Sequence, residues 1–142
     1  MTGGAKSGGE LAAKALALVG APFRLHGREP ATGLDCIGVL AAALTACGAT
    51  PQLPNGYMLR NRTLPELGQY VAGNGLALAA GPLTAGDVVL VRAAPCQVHL
   101  LIAVGNEHFV HAHAGLRRVI CGELPADWPI LRHWRIAPGI ED

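Results

Sequence analysis

Aromatic side chains are scarce in this chain, 4% of its 142 residues, and charged ones make up only 15%. With a formal net charge of +1 there is no broad basic field of the kind that draws nucleic acid. The shortage of charge is not disorder, because hydrophobic residues reach 51% and can form a packed core. Cysteines number four, and Cys36, Cys47, Cys96 and Cys121 form no Cys-x-x-Cys pair. That spacing argues against a zinc ribbon and against a secreted disulfide framework, leaving reduced thiols. Long apolar runs are also missing: Lys14, Arg92 and His99 interrupt the greasiest stretches, so no membrane span is expected. The glycine-rich first nine residues lack the apolar centre of a signal peptide, so the chain reads as cytoplasmic when synthesised, or exported by another route. In the stretch from His108 to His113 only His111 and His113 would share the metal-facing side of a strand, so neither a metal nor a cofactor is expected.

What is present reads as one domain, residues 10–142, behind a flexible tail at 1–9. A chain this long buries roughly two thirds of its unfolded surface without needing staples. Ser7 followed by Glu10 is a capping box, and Leu11, Ala12, Ala15, Leu16 and Val19 then recur at helical spacing until Gly20 and Pro22. Asp35 can cap a second helix from Cys36 to about Cys47, stopped by Gly48. Thr63, Pro65 and Glu66 start a third helix that the Gly73-Asn74-Gly75 cluster ends. After Gly86 the pattern changes to apolar and β-branched runs over 88–91, 98–104, 108–113, 116–120 and 131–136, an antiparallel meander. Helices followed by an antiparallel sheet make an α+β domain.

Cys36 carries the chemistry. A thiol in the first turn of a helix feels the positive end of the dipole and unpaired N–H groups, which favour thiolate. Its partners depend on the hairpin between the runs 98–104 and 108–113. If Gly105-Asn106-Glu107 is a three-residue loop, Val104 faces His108, Leu101 faces His111 and His99 faces His113. All three histidines then share a face, with His99 and His111 diagonal neighbours about 7 to 8 Å apart at the backbone. A two-residue loop would put His99 and His111 on opposite faces. Cys47, Cys96 and Cys121 read as small core residues, and His108 and His133 as surface or structural ones.

The order of these pieces resembles the NlpC-type cell-wall peptidases, which are papain-like cysteine enzymes. The resemblance rests on Gly20-Ala21-Pro22-Phe23, the Asp35-Cys36-Ile37-Gly38 helix start, the lead-in Leu83-Thr84-Ala85-Gly86-Asp87, and His99 followed by His111 across a Gly-Asn turn. It covers roughly residues 11–137 and looks most like the branch found in phage tails and gene transfer agents. It implies a papain-like fold with the N-terminal helices packed on the sheet. It implies Cys36 as nucleophile, His99 as general base and later acid, and His111 as the group that orients the His99 ring, with His113 the contender for that third place. The Cys36 N–H is the implied oxyanion donor. The implied reaction is hydrolysis of peptidoglycan stem peptides between the side-chain carboxyl of D-glutamate and diaminopimelate.

Two positions depart from the family. Phe23 stands where a tyrosine hydroxyl usually approaches the cysteine, so either His26 or a backbone group is expected to substitute, or the rate to be lower. Ile37 replaces the usual serine near the bound peptide, so the substrate's free amino group is expected to be held differently. Asp35 reads as a helix cap with a second role in gripping that amine. The partners implied are stem peptides and the tail or baseplate proteins of a phage-like particle that would act in the periplasm of a target cell. The alternatives are a catalytically decayed structural or wall-binding tail module, and a thiol acyltransferase.

Overall fold

The computed structural model describes residues 7–51, 71, 73–95, 97–105 and 107–136. Within them are two helices, α1 (Gly8–Leu16) and α2 (Cys36–Ala46), and eight strands. Short β1 (Arg28–Glu29) and β2 (Gly33–Leu34) pair antiparallel in the connection between the helices. The others, β3 (Leu76–Ala79), β4 (Val88–Ala94), β5 (Gln97–Ala103), β6 (His108–His113), β7 (Arg118–Glu123) and β8 (Ile130–Ile136), form one antiparallel sheet in the order β3-β8-β4-β5-β6-β7. The architecture is α+β, as the sequence pattern indicates. The helix expected from Thr63 and the thiol Cys96 lie outside the described residues. Among the described residues no helix is long and apolar enough to cross a membrane.

Helix α1 starts where its chemistry says it should. Ser7 is extended, and its hydroxyl accepts the Glu10 N–H at 3.2 Å, relieving one of the unpaired donors of the first turn. The helix therefore begins inside the stretch 1–9 read as a tail, because the cap acts two residues earlier than the glycine content suggests. Helix α2 is apolar nearly all round, with Ile37, Val39, Leu40, Ala43 and Leu44 buried, and so occupies the centre of the molecule. It packs with Leu11 and Ala15 of α1 against Val88, Leu90, Val98, Leu100, Ile102, Val110, Ala112 and Trp134 of the sheet. The opposite face holds a smaller cluster of Val89, Val91, Leu101, Ala103 and Phe109, covered by Leu83, Leu124 and Trp128.

Two expectations are corrected and a third, for His133, narrows to the structural alternative. The strand placed at 116–120 begins at Arg118, because residues 114–117 turn: the Leu116 N–H donates to Nδ1 of His113 at 3.0 Å, and Arg117 adopts a φ of 62°. Cys121 is exposed, since β7 is the terminal strand of the sheet and only its Val119 is buried. His133 is buried beside Asp87, its Nε2 3.7 Å from a carboxylate oxygen and without a hydrogen-bond partner. That carboxylate is held instead by Arg135 at 2.8 and 2.9 Å and by Thr84, tying the lead-in of β4 to β8.

Cys47 is buried at the C-terminal cap of α2 within the helix-side core. Cys47→Ala leaves a small cavity and is expected to cost about 1 kcal/mol in a denaturant titration. Any enzymatic rate should be unchanged, because the site is at the other end of the helix.

Candidate active site

The site grows from the first turn of α2. Asp35 is extended, and its Oδ1 accepts the Gly38 N–H at 2.8 Å, capping the helix and fixing the position of Cys36 one residue later. Its other oxygen accepts the His26 N–H at 2.7 Å, and Arg28 Nη1 lies 3.3 Å from Oδ1. The loop from Arg24 to Gly33 is pressed against the helix start. A Cβ on Gly38 would collide with the carbonyl of Gly27, and a Cβ on Gly27 with that of Gly33, so these backbones touch only because both positions are glycine.

His99 and His111 come together as the longer hairpin loop requires. Ile102 pairs with Val110 and Ala103 with Phe109, and the Val104 N–H donates to the His108 carbonyl at 2.9 Å. This is the three-residue-loop register. Nε2 of His99 lies 3.1 Å from Nδ1 of His111, with the rings edge-to-face at 81°. His113 is engaged by the Leu116 N–H, and it is His111 that hydrogen-bonds His99. Trp128 stands edge-on to both rings, with centroid distances of 5.8 and 5.7 Å, and partly covers the pair. Its part in the site was not legible in the sequence, where it lies in a loop far from either histidine.

Along β5, Val98, Leu100 and Ile102 face the helices, whereas Leu101 and Ala103 face the smaller cluster. By alternation His99 falls on the second side, and α2 approaches from the first. A closed sheet would keep sulfur and imidazole apart. The β5–β6 ladder, however, registers only two pairs before it opens. From the bond at Val104 and His108, the alternation of antiparallel ladders points the Leu100 N–H toward β6, where Ala112 would accept it. That pair is not registered, and the Leu100 and Ala112 backbones act electrostatically on Cys36 and on His99 respectively. The opening between the strands is thus where the nucleophile candidate and the base candidate meet the same stretch of backbone. Among the described residues no hydrogen bond joins the Cys36 thiol to His99.

Electrostatically the site is at rest. Burial pushes the Cys36 thiol up to about 12, helped by the neighbouring Asp35 carboxylate, against the Leu100 and Ile37 N–H groups and Arg28. The thiolate expected from the helix dipole is therefore not favoured here: desolvation outweighs the dipole. Burial likewise lowers His99 to about 3, with His111 and His113 adding to it and the Ala112 backbone opposing. His111 is lowered to about 4 by burial and by His113. Thiol and imidazoles are all neutral at physiological pH.

The departures from the family have plain structural readings. Phe23 is half-buried and packs against the helix-side core, its N–H bonded to the Arg117 carbonyl. Ile37 is buried in that core. His26 has a left-handed backbone, φ 64°, which aims its N–H at Asp35 while its side chain is exposed. Among the described residues no group of three or more His, Cys, Asp or Glu side chains could hold a metal ion.

Solved structures resemble this arrangement. NlpC2 from Trichomonas vaginalis superposes with a TM-score of 0.66 at 17% identity, over 93% of this chain and 47% of that one. An NlpC/P60 family protein from Bacillus cereus gives 0.64 at 20% identity, over 93% and 41%. The fold is that of the NlpC/P60 proteins. The NlpC/p60 domain of the peptidoglycan hydrolase SagA gives 0.57 at 20% identity, over 92% of this chain and 97% of that domain. The chain spans less than half the length of the Trichomonas and Bacillus proteins it superposes on. No family model matches the sequence, and no curated protein matches it either.

Proposed function

We propose that the protein is a cysteine peptidase that hydrolyses peptidoglycan stem peptides, with Cys36 as nucleophile, His99 as base and acid, and His111 as the residue orienting His99. The observation that carries this reading is the 3.1 Å His99–His111 hydrogen bond beside the opened strand pair, with Cys36 in the same core cluster as Leu100 and Ala112 of those strands. The fold shared with NlpC/P60 proteins, among them a peptidoglycan hydrolase, supports the substrate class. The bond proposed is that between the D-glutamate side chain and diaminopimelate.

Because thiol and imidazole rest neutral, sulfur attack and proton transfer go together in this mechanism. The Cys36 sulfur bonds the scissile carbonyl carbon as its proton passes to His99, and the Cys36 N–H at the helix start receives the oxyanion. His99 then gives that proton to the departing amine, and water, deprotonated by His99, releases the acyl group. His111 holds the His99 ring through Nε2, so the proton transfer to and from sulfur runs through Nδ1.

Mass spectrometry of purified muropeptides after incubation with the protein should show loss of intact stems and two new fragments. Unchanged muropeptides would favour the non-enzymatic wall-binding reading, for which the missing thiol–imidazole hydrogen bond is the supporting observation. New stem-to-amine or stem-to-alcohol adducts would instead indicate acyl transfer. The resemblance of the helix start at Cys36 to the tail-associated branch supports delivery by a phage-like particle, and proteomics of purified particles tests it.

A further inference from the structure

Asp35 is spoken for. Its carboxylate is fully buried and accepts the Gly38 and His26 N–H groups, while the Arg28 guanidinium completes its charge balance at 3.3 Å. Arg28 is held there by the fold: its residue pairs with Leu34 across the β1–β2 ladder, and Nη1 also donates to the Gly27 carbonyl at 3.0 Å. The Arg28 side chain is a quarter exposed, so it forms part of the surface at the helix start. It also lies within electrostatic reach of the nucleophile candidate, since Arg28 is among the groups that lower the Cys36 thiol.

A substrate ammonium brought to Asp35 would have to displace one of these donors and sit beside a fixed positive charge. An acylated nitrogen brings no charge, and its carbonyl oxygen is attracted to a guanidinium. Resting on the peptidase reading above, we infer that Arg28 sets the specificity of this site: it selects stem peptides whose N-terminal nitrogen is acylated, as in a stem still joined to its glycan, over stems with a free amine. This reverses the role in gripping an amine that the sequence resemblance gives Asp35.

The test uses the Cys36→Ala protein, in which binding is read without turnover, and two synthetic peptides, L-alanyl-γ-D-glutamyl-diaminopimelate and its N-acetyl form. Isothermal titration should show the acetylated peptide binding about tenfold more tightly or better. Adding Arg28→Met should reduce that preference to within about twofold or reverse it, and Arg28→Lys, which keeps the charge, should retain most of it. Circular dichroism of each variant checks that the helix start survives. Tighter binding of the free-amine peptide, equal binding of the two, a preference unmoved by Arg28→Met, or binding of neither peptide overturns the inference. Muropeptide cleavage by the unsubstituted protein bears on the peptidase reading alone. A protein that cleaves stems yet prefers the free amine refutes the role of Arg28 and leaves that reading standing.

Discussion

Cys36→Ala abolishes muropeptide hydrolysis while the fold melts as before. The side chain lost is one sulfur at a helix position that alanine fills well, so the helix, its Asp35 cap and the sheet behind it should be untouched. What disappears is the sulfur of the proposed nucleophile, and loss of a nucleophile of this kind lowers kcat by about 10⁴-fold or more. His99→Ala should reach a similar loss, because the two residues act as one unit, and the double variant should be hardly worse than either single one. Rates from product formation, with thermal melts alongside, decide the matter. A Cys36→Ala protein as active as the parent removes the enzyme reading altogether.

The second large effect is on stability against pH. His99, at about 3 in the folded protein, and His111, at about 4, both titrate well below the ordinary imidazole value of 6.5. Between those values the unfolded chain binds more protons than the native one, so stability is full above pH 6.5 and declines as pH falls toward 4. Cys36 acts at the other end. With its thiol raised from 9.0 to about 12, the native state keeps a proton that the unfolded chain gives up, and stability declines as pH rises above 9. The melting temperature should therefore be highest between about pH 6.5 and 9, with an acid-side loss of several kcal/mol by pH 4. His99→Asn should make the acid limb shallower, and Cys36→Ala the alkaline limb. A melting curve unchanged from pH 7 to pH 4 would show that the imidazoles are not buried neutral.

Much of this site is legible in the sequence because it rests on local chemistry. The Ser7 and Asp35 caps, the start of α2 and the hairpin register follow from side-chain reach, glycine punctuation and the parity of strand positions. With an odd loop, His99 and His111 must share a face. The misses arise where tertiary contacts decide. The dipole at the start of α2 is a local property, but the burial that keeps the Cys36 thiol protonated comes from a strand more than sixty residues away. Arg28 looks like one more polar loop residue until the β1–β2 ladder sets it opposite Leu34 and next to the Asp35 carboxylate. Strand β3 escaped notice because two of its four residues are exposed and nothing in Leu76–Ala79 alternates cleanly. The turn before β7 depends on a side-chain acceptor, His113, standing in for a backbone carbonyl.

The opened ladder also divides the protein mechanically. Strands β4 and β5, like β6 and β7, register six pairs each, but only two pairs among the described residues join β5 to β6, and β7 is tied to the helix connection through Gly20 and Ala21 instead. The sheet is thus two slabs hinged along a short seam, with His99 on one slab and His111 on the other. Amide hydrogens along that seam exchange with solvent through a smaller opening than global unfolding requires. Warming should part the two imidazoles before the core around α2 gives way, so that the protein loses its site while it still holds its shape.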